Sequence, residues 1–145
     1  MAPLSPIPAY VLGVPLVVVG LYGLRKPLAA HDLFGVPSPV GTSEPSPDKT
    51  HPAASAPRAT VSPFVYAKSV RDLTLGAITL GLQYQGNDRA VTTVVGACCL
   101  TALADGAIVW WFGGEKYRAK AWGHWLPTVL VLAPWTAVRL LEERA

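Results

Sequence analysis

Apolar residues come in long blocks along this chain, separated by short polar punctuation and one proline-rich insert. Residues 8–24, PAYVLGVPLVVVGLYGL, carry no charge and stop at Arg25 and Lys26, as a membrane span stops at a water interface. Residues 64–82, FVYAKSVRDLTLGAITLGL, are apolar except at Lys68, Arg71 and Asp72 and a few hydroxyls. At ~1.5 Å per residue they make a helix of ~28 Å, close to the hydrocarbon thickness of a bilayer. Residues 90–112 hold a single charge, Asp105, and end in Trp110, Trp111 and Phe112, while residues 122–138 begin with Trp122, His124 and Trp125 and carry Pro127 and Pro134 as expected kinks. The pattern predicts an all-α integral membrane four-helix bundle forming a single domain over 1–145, with spans at about 8–24, 64–82, 90–112 and 122–138.

The connections differ in kind. RKPLAAHDLFG after the first span sets leucines and a phenylalanine beside charges and predicts a short interfacial helix. Residues 36–63 hold prolines at 37, 39, 45, 47, 52, 57 and 63 among serines and threonines, and lack the apolar residues to order themselves. They read as an extended or disordered loop between helices 1 and 2, with His51 as a solvated loop histidine. QYQGNDR is a tight turn with Gly86 and Asn87 suited to positive φ, which makes its two helices antiparallel neighbours. GGEKYRAKA reads as a basic loop.

Composition agrees: 51% hydrophobic and 14% charged residues suit a membrane protein better than a soluble domain of 145 residues. A net charge of +3, spread between apolar blocks, gives no nucleic-acid footprint. Cys98 and Cys99 are adjacent in an apolar run and read as packing residues, neither a disulfide framework nor a metal motif. Arg25, Lys26, Lys49, Arg58, Lys116, Arg118 and Lys120 fall on one side, against Arg89, Arg139 and Arg144 on the other. The positive-inside rule then places loops 25–63 and 113–121 in the cytosol and both termini across the membrane, in an endomembrane such as the endoplasmic reticulum if the cell is eukaryotic.

Candidate chemistry follows from depth. Asp72 lies eight residues inside Phe64 and Asp105 seven inside Phe112, so both carboxylates sit roughly 10 to 12 Å below one interface. Lys68, Arg71 and Asp72 are spaced i, i+3, i+4 and share a face continued by Leu75 and Thr79; Cys98, Thr101, Asp105 and Ile108 share another. Two cations and two anions at one level sum to zero, as a bundle interior requires. The functional reading is an acid-base pocket in which Asp72, Asp105, Arg71 and His124 are catalytic and Lys68, Thr79, Thr101, Trp110 and Trp125 contact substrate. A bland reading stands beside it: an ion-pair network that sets helix register, with the tryptophans as interfacial belt residues.

The succession GLRKPLAAHDLFGVP, SPFVYAKSVRDLTLG, the aspartate of LTALADGAIVW and the histidine of AWGHWLP resembles a family of small four-helix integral membrane proteins, found in fungi and bacteria and catalogued only as a domain of unknown function. The resemblance covers the chain apart from the proline-rich insert, and Arg-Asp-Leu-x-Leu-Gly is its most specific part. It implies that Arg71, Asp72, Asp105 and His124 occupy the family's recurring polar positions. The location of some fungal members near natural-product genes implies a role in cyclising or isomerising a hydrophobic intermediate.

Three functions are consistent with these residues. The first is a membrane enzyme that isomerises or cyclises a polyketide or terpenoid by acid-base or pose-enforced, pericyclic catalysis. No nucleotide loop, spaced metal motif or redox cysteine pair is legible, so no cofactor is expected. Its partners are a hydrophobic small molecule and membrane lipid, and four short spans leave room for a homodimer with a shared pocket, for which no motif speaks. On this reading Asp72→Asn or Asp105→Asn abolishes conversion in a folded protein. The second function is a non-catalytic scaffold or partner-binding subunit, and the third a small proton-coupled transporter.

Overall fold

Caps, prolines and glycines in the sequence start and stop the helices. The computed structural model describes residues 6–37 and 61–142, and every regular element among them is helical. α1 (Ile7–Arg25) takes Pro8 in its first turn, where a missing N–H costs nothing. α2 (Pro27–Phe34) is a short helix within the segment RKPLAAHDLFG; it ends at Gly35, whose φ of 72° lies in the left-handed region that glycine enters without a Cβ penalty. Ser62 opens α3 (Pro63–Tyr84) by accepting the Phe64 N–H at 3.3 Å, and Asn87 opens α4 (Asp88–Phe112) by accepting that of Ala90 at 3.2 Å. Between them Gly86 takes the positive φ expected of the turn, whereas Asn87 serves as a cap at negative φ. The segment expected as a basic loop contains a helical turn, α5 (Gly114–Arg118).

α6 (Ala121–Pro127), a π-helical segment (Thr128–Leu132) and α7 (Ala133–Glu142) follow one another without a gap. Pro127 and Pro134 flank the wide turn, across which the Ala133 N–H reaches the Thr128 carbonyl. Prolines cannot donate to the ladder, and here the run widens by a residue instead of breaking. The proline-rich stretch expected over 36–63, with Lys49, His51 and Arg58, lies almost wholly outside the described residues, as does Arg144.

The expected spans fall within α1, α3, α4 and the α6–α7 run. Two of these, α1 and α4, are each long and apolar enough to cross a membrane. The three charges of α3 and the division of the last run set those two apart.

α3 is central. α1 packs along it on one side and α4 on the other, the α6–α7 run packs on α4, and α1 and α4 barely touch. The α1–α3 contact is backbone against backbone. A Cβ added at Gly76 would stand 2.7 Å from the Gly13 carbonyl oxygen and 2.8 Å from the Val17 nitrogen, and one at Gly20 would stand 2.7 Å from the Ser69 oxygen and the Leu73 nitrogen. Small residues thus let the two helices approach until main chains touch, the usual device for joining helices where no hydrophobic effect drives them together. Which helix these glycines meet becomes visible only with both helices in place.

Beside an apolar core that includes Val65, Val91 and Val95, several polar side chains are buried and many large apolar ones exposed. Lys68, Ser69, Asp72, Thr79, Thr92, Asp105, Thr128 and Thr136 are buried, whereas Val11, Val18, Val70, Leu100, Val129 and Leu130 are exposed. Each buried hydroxyl bonds the carbonyl four residues earlier on its own helix: Ser69 to Val65, Thr79 to Leu75, Thr92 to Asp88, Thr128 to His124 and Thr136 to Leu132. Exposed Thr93 and half-buried Thr101 make the same bond, to Arg89 and Ala97, so the helices satisfy these hydroxyls themselves wherever they lie.

A polar clasp closes one end. Asp32 of α2 accepts from the Tyr117 hydroxyl and, at 3.2 Å, from Lys116 Nζ, while Lys120 Nζ donates to the Asp32 carbonyl. The Tyr117 bond, followed by the bond and charge of Lys116, holds the Asp32 carboxyl below the usual carboxylate range. Lys116 is raised in turn, first by the Tyr117 hydroxyl and next by Asp32.

Two outcomes follow from this packing. Gly76→Val drives a side chain into the α1 backbone and lowers stability by about 1–3 kcal/mol or more, whereas Gly81→Ala, which meets nothing within 4 Å, is neutral or stabilising; thermal denaturation in detergent distinguishes them. For the clasp, a depressed Asp32 contributes above the ordinary carboxylate range and is lost as pH falls through its lowered value, and a raised Lys116 contributes below the ordinary lysine range and is lost as pH rises through its raised value. Amide exchange of α2 should therefore be slow between these limits, and Asp32→Asn should abolish the acid step; an acid step that survives the substitution assigns it elsewhere.

Candidate functional site

The i, i+3, i+4 spacing of Lys68, Arg71 and Asp72 sets all three on the face of α3 that looks toward α4, and Asp105 meets them from the other side. Lys68 Nζ lies 3.0 Å from Asp72 Oδ2 and 2.8 Å from Asp105 Oδ2. Arg71 grips Asp105 with both ends of its fork, Nη1 to Oδ1 at 3.0 Å and Nη2 to Oδ2 at 2.6 Å, and also holds Asp72 Oδ1 through Nε at 3.2 Å and Nη2 at 3.0 Å. Every cation touches both anions. Lys68, Asp72 and Asp105 are buried, and the Arg71 side chain is 36% exposed.

Bidentate pairing of this kind is the strongest ordinary arrangement of guanidinium and carboxylate. In a low-dielectric setting such charges offset their desolvation only when each is matched and hydrogen-bonded, which the closed ring achieves. The ammonium of Lys68 also stands 5.0 Å from the centre of the Phe34 ring, so α2 roofs the cluster with an aromatic face.

Because α1 is tight on α3 and barely meets α4, a cleft of ≈ 330 Å³ opens between them, with the quartet as its floor. Apolar walls come from Val11, Leu12, Pro15 and Leu16 of α1 and from Leu75 of α3; Leu33 and Phe34 of α2 and His124 of α6 complete it. The volume is at the small end for small-molecule sites, and apolar walls with a few convergent polar groups are their usual composition. His124 is half-buried and its imidazole makes no hydrogen bond to protein among the described residues. Of the Lys, Arg, Asp and His side chains at the cleft, it is the one not consumed by an ion pair.

Most residues singled out from sequence converge here: Asp72, Asp105, Arg71, His124, Lys68 and Thr101 all line the cleft. Thr101 turns its hydroxyl to the Ala97 carbonyl. Thr79, Trp110 and Trp125 do not line it. Thr79 is fully buried and bonds Leu75, because continuing the α3 face by one more turn carries it past the end of the cleft. Trp110 and Trp125 stack on each other at 5.7 Å, and Trp125 lies over Gly106 and donates to the Leu103 carbonyl at 3.2 Å. They pack α6 against α4 and position His124 from behind. Sequence reading missed the α1 wall and Phe34: aliphatic residues in a charge-free span carry no chemical signal, and the roof depends on where α2 folds back. No group of metal-ligating side chains suited to an ion occurs among the described residues.

A family profile described as "Domain of unknown function (DUF4267)" matches residues 13–138, a range that includes every residue of the quartet, His124 and the α1 wall except Val11 and Leu12. No curated protein and no solved structure matches the chain.

Removing one member of the quartet leaves an opposite charge buried without its full complement. Asp105→Asn is expected to cost about 3–5 kcal/mol. Lys68→Met combined with Asp105→Asn keeps the sum of charges at zero and should cost less than the two single changes added; strict additivity in denaturation midpoints means that the charges do not act as a unit.

Proposed function

The chain thus belongs to this family of unknown function, and on that premise we propose that it is a multi-pass membrane protein in which the cleft isomerises or cyclises an apolar, oxygen-bearing intermediate of the polyketide or terpenoid kind without a bound cofactor. Support for the membrane setting comes from the outward apolar faces of α1 and α4. The windows that make α1 and α4 long enough to span are only 22% and 39% buried, so their apolar surfaces face outward, unlike those of a soluble core helix. With α3 and the α6–α7 run beside them, four crossings result. The ends that carry Arg25, Lys26, Lys116, Arg118 and Lys120 then lie together on the cytosolic side, in an endomembrane if the cell is eukaryotic.

The observation that carries the enzymatic reading is one imidazole, unbonded to protein, at the rim of an apolar cleft floored by a saturated charge cluster. Asp72 and Asp105 are occupied in holding Lys68 and Arg71, so the geometry favours them as positioning groups and favours His124 as the proton carrier. A carbonyl oxygen on Arg71 would be polarised. His124 takes a proton from the adjacent carbon, the electron pair moves onto the oxygen as an enolate, and the imidazolium returns the proton at a conjugated carbon as the pair moves back. Nothing is gained or lost, and the product is an isomer. Where the substrate carries a second reactive π-system, narrow walls that fold it on itself supply the pose for ring closure.

One observation favours the scaffold reading instead: four charges that satisfy one another need no ligand to explain them. His124 separates the two. In cells lacking the chain the unconverted intermediate should accumulate, and His124→Gln should reproduce that profile, with turnover reduced by about 10²-fold or more and an unchanged melting temperature. Normal conversion by His124→Gln removes the acid-base mechanism; an unchanged metabolite profile on loss of the whole chain removes the enzyme and leaves the scaffold.

A further inference from the structure

Resting on the reading of the cleft as a substrate site, the quartet also says what kind of head group that site accepts. We infer that the cleft takes an uncharged oxygen function, a hydroxyl, ketone or enone on an apolar body, and discriminates against carboxylates, phosphates and amines of the same body.

The first argument is charge balance. Lys68 and Arg71 against Asp72 and Asp105 sum to zero, and every cross-pair lies within 3.2 Å. An anionic head group would arrive beside a floor that has no net positive charge to offer, in surroundings where stripping its water is costly. An ammonium meets the mirror-image problem. Arginine and lysine at the base of this apolar cleft do not make a carboxylate site, because both are already spent on Asp72 and Asp105.

The second argument is a count of hydrogen-bonding capacity. A guanidinium has five N–H donors, and the contacts to Asp72 and Asp105 use four: Nε–H, both on Nη2 and one on Nη1. One Nη1–H remains, on the quartet side chain that is still 36% exposed, and Lys68 Nζ keeps one N–H beyond those given to Asp72 and Asp105, beside the Phe34 ring. Asp105 Oδ1 accepts only that single Nη1 bond, so it retains acceptor capacity. A floor with one spare donor on each cation and spare acceptor capacity on a carboxylate suits a hydroxyl fully and a carbonyl oxygen on its donating half. A carboxylate needs several donors at once, and beyond these two the cluster cannot release any without breaking its own pairs. The α1 wall contributes nothing polar to compensate, since Val11, Leu12, Pro15 and Leu16 line it, and Thr101 already donates its hydroxyl to the Ala97 carbonyl. His124 is the one uncharged base at the cleft that can become a cation and accompany an anion, so protonating it should weaken the discrimination.

The test is a matched ligand series. Purified full-length protein in nanodiscs of neutral phosphatidylcholine is held at pH 8 with 1-dodecanol, 2-dodecanone, dodecanoate or dodecylammonium, and affinities are taken from the dose dependence of the melting temperature. The alcohol and the ketone are expected to bind about tenfold or more tightly than either ion, and Arg71→Gln, which leaves the cluster one negative charge in excess, should move the preference toward dodecylammonium. Dodecanoate binding as tightly as dodecanol overturns the inference, as does binding by none of the four; the wild-type ranking decides the matter even if Arg71→Gln does not fold. Adding diacylglycerol to the bilayer identifies the source of the neutral ligand: competition assigns the site to a membrane lipid, its absence to a diffusible metabolite, and either keeps the class. Neutral selectivity without turnover in cells sinks the enzymatic reading while this one stands, and turnover of an acid substrate does the reverse.

Discussion

Everything in the interior depends on one electrostatic closure, the pairing of Lys68 and Arg71 with Asp72 and Asp105. Isolated charges in apolar surroundings cost several kcal/mol each, so α3 and α4 have a single relative height at which the cost is met: the one that brings Asp105 within reach of both cations. Apolar faces can slide by a turn with little penalty. Charged faces cannot. The quartet therefore acts as the register mark between two helices whose contact would otherwise be loosely specified.

Around that mark, side-chain size decides where space is left. Glycines at 13, 20 and 76 draw α1 onto α3 until backbones meet, while α1 meets α4 only near its start, where Ala9 joins Val91, Val95 and Cys99. The cleft is the consequence of unequal approach on the two sides of α3, and its floor is the exposed edge of the charge cluster. α2 then folds back over the end, tied down by Asp32 to Tyr117, Lys116 and Lys120, and lays Phe34 on Lys68. Packing, clasp and charge thus cooperate in one feature, an apolar slot with a polar base.

This arrangement divides labour among residues that look alike in sequence. Four ionisable groups of the quartet neutralise and orient one another, which makes them good positioning elements and poor proton carriers. His124, outside the ring but at the same cleft, is left with an uncommitted imidazole. In the proposed enzyme the ring presents one oriented donor and the histidine moves the proton, with the apolar walls setting the pose. The tryptophans stand a layer behind, where Trp125 seated over Gly106 holds α6 and hence His124 against α4.

A good deal of this was legible without coordinates. Long apolar blocks, the Arg25–Lys26 stop, the Gly86–Asn87 turn and the prolines at 127 and 134 act through local physics: hydrophobicity, turn preference and missing donors depend on neighbours a few residues away. The level of the four charges was legible too, because helical rise converts sequence distance into depth. What the sequence alone determined was therefore an all-helical chain with its charges at one height. The tertiary structure decided who pairs with whom, that the carboxylates are consumed while His124 is spare, that Thr79, Trp110 and Trp125 miss the cleft, and that α1 and Phe34 enclose it. Those facts depend on rotation about helix axes and on how closely helices approach, quantities that arise only when faces from distant parts of the chain meet.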